Sequence, residues 1–96
     1  MVSVVGRSCG MDHNIATAFG KALRAARLDA GLSQEQLALA SNIDRTFISM
    51  LERGIRQPTL TTVFLIAKTL EMKPETLVAR TRKQKDRSKV WTNETL

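Results

Sequence analysis

The stretch QEQLALASNIDRTFISMLERG, which runs from Gln34 to Gly54, decides the fold of this chain. Just before it, Ser33 is followed three residues later by Gln36, which is the spacing of a capping box at the start of a helix. Residues 41–43 interrupt the helical pattern, and Asp44 can then accept a backbone N–H bond at the start of another helix. The stretch therefore predicts two short helices joined by a tight turn.

The apolar positions of these two helices predict how they pack. Small Ala38 stands where the helices must cross closely, and Gly54 is expected to end the second of them. The positions expected to face a shared core are Leu37, Ala40, Ile43, Ile48 and Leu51. Two short helices locked together in this way form a helix-turn-helix.

The same packing leaves one stripe of residues on the outer side of the second of these helices. Its members are separated by one, three and four positions: Arg45, Thr46, Ser49, Met50 and Arg53. In a helix-turn-helix this stripe enters the major groove of DNA, N-terminal end first. The spacing therefore predicts a DNA-contacting surface.

Helical spacing continues on both sides of the motif, from Ile15 to about Ala79. A first helix is expected to end at Gly31, and its recurring apolar residues are Phe19, Leu23, Ala26 and Ala30. Thr59 is expected to cap a fourth helix with these residues inward: Leu60, Val63, Ile66, Ala67 and Leu70. A short last helix fits residues 74–79, because proline is favoured in a first helical turn. The sequence predicts an all-α fold, a compact bundle of about five helices containing a helix-turn-helix.

Length and composition exclude several classes of protein. The 96 residues suffice for one small domain, and a hydrophobic content of 43% is too high for a wholly disordered chain. No apolar run approaches the roughly 20 residues that span a bilayer. One cysteine and one histidine do not supply a disulfide, a metal site or a nucleophile–base pair. We therefore expect a cytoplasmic protein that is not an enzyme, with no metal, no cofactor and no membrane partner.

Charge and composition divide the chain into three parts. Residues 1–14 lack a helical period and are expected to form a flexible N-terminal arm, and residues 15–79 form the domain. Residues 80–96 carry a net charge of +4 out of +6 for the whole chain, so a basic, flexible tail is expected there. A basic run of this kind either contacts nucleic acid or is simply solvated, and the sequence leaves both open.

Between Phe19 and Val78 the sequence resembles the phage repressor and Cro-like helix-turn-helix regulators. The resemblance rests on LSQEQLA, on the third helix through LERG, and on the pattern R-x-P-x-L-x-T-V-x-x-I-A-x-x-L from Arg56 to Leu70. Within that family, SNIDRTFISMLERG looks most like the controller proteins of restriction–modification systems, which tend to carry D-R-T-Y-I-S in the same place. The resemblance implies a DNA-binding transcriptional regulator.

The resemblance also implies a role for individual residues. The positions matching base-reading residues are Arg45, Thr46, Ser49 and Met50. Arg45 is expected to read guanine, because its planar guanidinium pairs with O6 and N7 in the major groove. The positions matching DNA-backbone contacts are Gln34, Phe47, Arg53 and Arg56. Arg27 and Glu52 match a charged pair that ties the first helix to the recognition helix in some members.

One position departs from the controller pattern. Phe47 stands where those proteins usually show tyrosine, so a hydrogen bond from that hydroxyl is lost while ring stacking or apolar contact is retained. This departure affects one predicted backbone contact and leaves the base-reading positions unchanged.

The expected function is sequence-specific regulation of transcription by a homodimer on double-stranded DNA. Two-fold symmetry would place the recognition helices about 34 Å apart, matching half-sites about 10 bp apart. The family implies dimerisation through the fourth and fifth helices, where Phe64 and Val78 are either a dimer patch or ordinary core. Three alternatives stay open: an antitoxin that holds a toxin partner through residues after Arg80, a protein-interaction module on the same scaffold, and, with least support, an enzyme.

Overall fold

The computed structural model describes residues 13–88, which form five α-helices. They are α1 (His13–Asp29), α2 (Gln34–Ser41), α3 (Arg45–Glu52), α4 (Leu60–Thr69) and α5 (Pro74–Ser88). No strand occurs between residues 13 and 88, and the all-α prediction is confirmed. Residues 1–12 of the N-terminal arm predicted over residues 1–14 lie outside the described residues, as do residues 89–96 of the predicted tail, whereas residues 13 and 14 form the start of α1.

Each short helix begins at the capping residue that the sequence predicts. Ser33 Oγ accepts the backbone N–H of Gln36 at 3.0 Å, and the Gln36 side chain accepts the backbone N–H of Ser33 at 2.8 Å. Asp44 accepts two backbone N–H groups from the first turn of α3, at 3.0 and 3.3 Å. Thr59 accepts one from the first turn of α4 at 3.1 Å. These side chains satisfy N–H groups that a helix start otherwise leaves unpaired.

Two glycines bring α1 and the end of α3 into close contact. A Cβ atom on Gly20 would lie 2.5 Å from the carbonyl oxygen of Leu51, so α1 can approach α3 only without a side chain there. Gly54, which follows α3, has φ +76° and lies against Thr17, where an added Cβ would be 3.0 Å from the Thr17 Cα. α3 is therefore held directly against the N-terminal half of α1.

All five helices contribute to one hydrophobic core. Its largest fully buried side chains are Leu23, Leu37, Ile48, Leu51, Ile66 and Leu77. Partly buried residues, among them Ile43 and Leu70, pack against this cluster. The inward faces predicted for the helix-turn-helix and its neighbours thus form a single core.

The inward face predicted for α2 is partly wrong. Ala40 is exposed, whereas Ala38 and Ser41 are buried beside Leu37. Burial of Ser41 is tolerated because its hydroxyl donates to the Leu37 carbonyl oxygen at 2.7 Å. A polar residue that satisfies itself within its own helix therefore occupies the core position that the apolar pattern assigns to Ala40.

Two other apolar residues also lie outside the core that the sequence predicts. Leu60 is the first residue of α4 and is 73% exposed, because the buried stripe of that helix begins one turn later at Val63. Ala30 follows the end of α1 and is exposed. Periodicity alone extends both stripes by one position too many.

The last helix is much longer than the sequence predicts. It continues to Ser88 instead of ending at Ala79, and its packing along α1 is the most extensive helix–helix contact of the fold. Thr81 is buried within it and donates its hydroxyl to the Leu77 carbonyl oxygen at 3.0 Å, while Arg80 lies 3.6 Å from the Asp29 carboxylate. The prediction that this helix ends at residue 79 is therefore wrong: the first residues of the tail that was predicted to be flexible are helical, and Thr81 among them is buried. None of the helices between residues 13 and 88 is long and apolar enough to cross a membrane.

Candidate nucleic-acid interface

α3 presents one side to the core and the other to solvent. Ile48 and Leu51 are fully buried and fix the orientation of the helix. The outer side carries the predicted stripe, with Arg45, Thr46 and Arg53 exposed and Ser49 and Met50 half-buried. Positions three and four apart in an α-helix share a face, so these five residues lie on one surface.

Phe47 lies at the border between the two sides of α3. It is half-buried and packs against the hydrophobic core. Its backbone N–H donates to the Asp44 carboxylate at 3.3 Å. The ring therefore helps to anchor the start of α3, directly beside the predicted reading positions.

The other three residues predicted to contact the DNA backbone lie at the two ends of the helix-turn-helix. Gln34 is the half-buried first residue of α2, whereas Arg53 and Arg56 are exposed at the end of α3 and in the loop that follows. Gln34 Nε2 donates to Glu52 Oε1 at 3.0 Å, which places Gln34 beside the C-terminal end of α3. The sequence predicts that Gln34 and Arg53 both contact the DNA backbone, but it contains no signal for the hydrogen bond between Gln34 and Glu52.

A buried ion pair joins α1 to α3, as the family resemblance implies. Arg27 donates to both carboxylate oxygens of Glu52, through Nε at 2.6 Å and Nη2 at 3.0 Å, and its Nη1 donates to the Leu32 carbonyl oxygen at 2.9 Å. The two side chains are almost completely shielded from solvent. The hydrogen bond to Glu52 raises the pKa of Arg27 above its usual value, although burial opposes the change.

The charges on and around α3 make its outer surface cationic. Its three arginines, Arg45, Arg53 and Arg56, are all exposed. Of the neighbouring carboxylates, Asp44 caps α3 and Glu52 pairs with Arg27, whereas Glu35 of α2 is exposed and lines the same surface depression as Arg45. A cationic surface of this kind attracts the phosphates of a nucleic acid. In the part of the chain from residue 13 to 88, no group of three His, Cys, Asp or Glu side chains could hold a metal ion.

Exposed side chains of a different character occur on α4 and α5. These exposed apolar residues, here called the apolar surface of α4 and α5, are Leu60, Phe64, Leu65 and Val78. Phe64 is 57% exposed and Val78 is 51% exposed, so the alternative that they are ordinary core residues is wrong. Large apolar side chains that are exposed in a single chain are candidates for an interaction surface, and Leu28, Leu39 and Ile55 are exposed in other parts of the domain.

Comparisons with known proteins agree with this geometry. A helix-turn-helix family model matches residues 23–77. The control protein C.BamHI of Bacillus amyloliquefaciens is 39% identical over 69 residues, which cover 71% of this chain and 85% of that protein. The crystal structure of the restriction-modification controller protein C.AhdI from Aeromonas hydrophila has 39% sequence identity and a TM-score of 0.63, covering 65% of this chain and 94% of the other.

A further solved structure, the controller protein C.Esp1396I as a tetramer in complex with its natural 35 base-pair operator, has 34% identity and a TM-score of 0.67. The match covers 74% of this chain and 93% of that one. The family model, the relatives and the fold thus confirm the resemblance to Cro-like regulators and to controller proteins. The chain belongs to the helix-turn-helix family and is a transcriptional regulator of the restriction-modification controller type.

Proposed function

We propose that the chain acts as a homodimer that reads a two-fold symmetric operator with α3. The observation that supports this most strongly is the construction of α3 itself. Ile48 and Leu51 lock one side into the core, and the opposite side exposes arginines at both ends of the helix. This leaves a rigid, cationic helix face of a size that fits the major groove.

Base reading is assigned to the N-terminal part of the stripe. Arg45 is the first residue of α3 and is exposed, so its guanidinium is free to form two hydrogen bonds to guanine O6 and N7. Thr46, next to it, can contact a thymine methyl or a phosphate. Ser49 and Met50 follow on the same face and are only half-exposed, so they are expected to make shorter-range contacts to the neighbouring bases.

Contacts to the DNA backbone are assigned to the residues around α3. Arg53 and Arg56 are exposed, whereas Gln34 contributes a polar side chain from the start of α2. Such contacts fix the register of the protein on the duplex without reading its sequence. Phe47 is assigned an apolar contact to the sugar–phosphate backbone with the exposed part of its ring.

Dimerisation is assigned to the apolar surface of α4 and α5. One recognition helix reads only a few base pairs, and two copies related by two-fold symmetry read two half-sites about 10 bp apart. The tetramer of C.Esp1396I on its operator supports several copies per DNA site in this type of protein. The antitoxin alternative assigns the residues after Arg80 to a toxin partner, and among the described residues that segment continues helix α5 as far as Ser88.

The proposal is tested by mixing the purified protein with random genomic fragments at about 150 mM salt and sequencing the fragments that it retains. We expect the retained set to share a two-fold symmetric motif with half-sites about 10 bp apart. Retention without a common motif, falling steeply as salt increases, would show backbone binding alone and would overturn the base-reading part of the proposal.

A further inference from the structure

The ion pair between α1 and α3 is connected to the predicted DNA surface through a third residue. All three nitrogens of the Arg27 guanidinium donate hydrogen bonds, two to Glu52 and one to the Leu32 carbonyl oxygen. Glu52 Oε1 accepts a second hydrogen bond, from Gln34 Nε2 at 3.0 Å. Glu52 is therefore bound from two sides, by a buried arginine and by the first side chain of α2.

This arrangement fixes the orientation of the Gln34 amide. A carboxylate can only accept hydrogen bonds, so the nitrogen of the amide, not its oxygen, must face Glu52. One of the two N–H groups of Nε2 is used in that bond, and the second can donate to another acceptor. Glutamine otherwise has considerable rotamer freedom, which it would lose on binding a phosphate. The bond to Glu52 already restrains the Gln34 side chain in the free protein, so less conformational entropy is lost when DNA binds.

The charge of the pair matters as well as its geometry. A carboxylate behind Gln34 would by itself repel a phosphate in front of it. Arg27 neutralises this effect, because it pairs with both oxygens of Glu52 in a site that is shielded from solvent. The pair can therefore orient Gln34 without adding net negative charge at the surface.

We infer that Arg27 and Glu52 are positioning residues for DNA binding, which act by holding the Gln34 amide so that its second N–H meets a backbone phosphate. The inference rests on the proposed function, because it requires Gln34 to lie at the DNA. It gives the buried pair a role in affinity beyond joining two helices. It also predicts that Glu52 influences DNA binding only through Gln34.

The test is a double-mutant cycle of Q34A, E52Q and the combined variant, measured on a duplex taken from the retained fragments. Affinity is measured at a temperature where circular dichroism shows each variant to be folded, and the melting temperature is recorded separately. We expect Q34A to weaken binding about 10-fold to 100-fold, as for loss of one hydrogen bond of ordinary net strength in each protomer. We expect E52Q to weaken it by a similar factor, and the combined variant to be no weaker than Q34A within about 2-fold.

A matched control separates this effect from net charge. D86N removes one negative charge, as E52Q does, from the exposed pair of Asp86 with Arg82, whose closest atoms are 3.7 Å apart. It is expected to leave affinity unchanged or slightly improved. If E52Q does not fold, E52D keeps the charge but shortens the side chain, and it is expected to show the same dependence on Gln34.

The outcomes distinguish this inference from the proposed function. The positioning role would be overturned if the combined variant lost affinity by the product of the two single-variant factors. It would also be overturned if a variant at Glu52 bound DNA as tightly as the unchanged protein. Wild-type affinity of Q34A would overturn it too, while leaving operator binding by α3 intact. Failure of the unchanged protein and of D86N to prefer any DNA sequence would instead overturn the proposed function.

Discussion

α3 and α4 are short helices with nearly the same inner side and very different outer sides. α3 buries Ile48 and Leu51, and α4 buries Val63 and Ile66 in the same core. The outer side of α3 carries arginines, small polar residues and the half-buried Met50, whereas the outer side of α4 carries exposed apolar residues, including Phe64. The inner sides explain why both helices fold into one domain, and the outer sides indicate two different partners, a polyanion and a second apolar surface.

The largest effect is expected from removing the leading arginine of the α3 surface. R45A should abolish preference for the operator while keeping much of the affinity for unrelated DNA, since each bidentate base contact contributes about 1–3 kcal/mol of discrimination. A dimer loses two such contacts. Competition binding with operator and unrelated duplexes measures the ratio of the two affinities. R24A removes an exposed arginine from α1 and serves as the control, which should keep the preference for the operator. If R45A instead lost the same factor of affinity on both DNAs, Arg45 would not be a base-reading residue.

The next effect concerns the apolar surface of α4 and α5. F64E should give a folded monomer, because Phe64 is 57% exposed in the single chain and a charge there disrupts only an interface. Operator affinity should fall by about 100-fold or more, as simultaneous use of two half-sites is lost. Sedimentation equilibrium measures the oligomeric state. L28E alters a residue of similar exposure, 52%, on α1 and should remain dimeric; a dimeric F64E protein would place the interface elsewhere.

A smaller effect is expected at the edge of the α3 surface. Arg56 is exposed in the loop between α3 and α4, and its proposed role is a phosphate contact. R56A should weaken binding to all sequences alike and reduce the slope of log affinity against log salt by about one for each protomer. Titrations over a series of salt concentrations test this. A change in sequence preference, with an unchanged slope, would assign Arg56 to base reading instead.

The smallest effect compares the caps of the two helices. Asp44 begins α3 and Thr59 begins α4, each by accepting backbone N–H groups. D44A and T59A should each lower the free energy of unfolding by about 1 kcal/mol, measured by urea denaturation. Only D44A should also reduce operator affinity, because it loosens the end of α3 that carries Arg45. Equal DNA affinity of the two variants would show that the start of α3 does not need its cap to read DNA.

The sequence predicts the elements that depend on local signals. Ser33, Asp44 and Thr59 each sit directly before a helix, and their side chains can reach only the first turn of that helix. The helix starts in this part of the chain, and the fold class that follows from them, could therefore be read from neighbouring residues. The orientation of α3 followed in the same way, since Ile48 and Leu51 recur at helical spacing.

The remaining features depend on contacts distant in sequence or on polar residues that behave as core. Ser41 and Thr81 are buried because their hydroxyls bond to carbonyls one turn earlier, so an apolar pattern overlooks them and ends α5 too soon. The bond between Gln34 and Glu52 joins residues 18 positions apart and leaves no local pattern. The true length of α5 and the hydrogen-bond partner of Gln34 can therefore be identified only from the three-dimensional structure.

Hydroxyl-radical footprinting of both strands of a retained fragment tests the central claim most directly. If two copies meet through α4 and α5 and each inserts α3, the protected regions will be related by a two-fold axis, with centres about 10 bp apart. F64E should lose this symmetric pattern, and R45A should lose protection at the selected site while still binding elsewhere. A single protected region with no symmetry, from the unchanged protein at saturating concentration, would contradict the account.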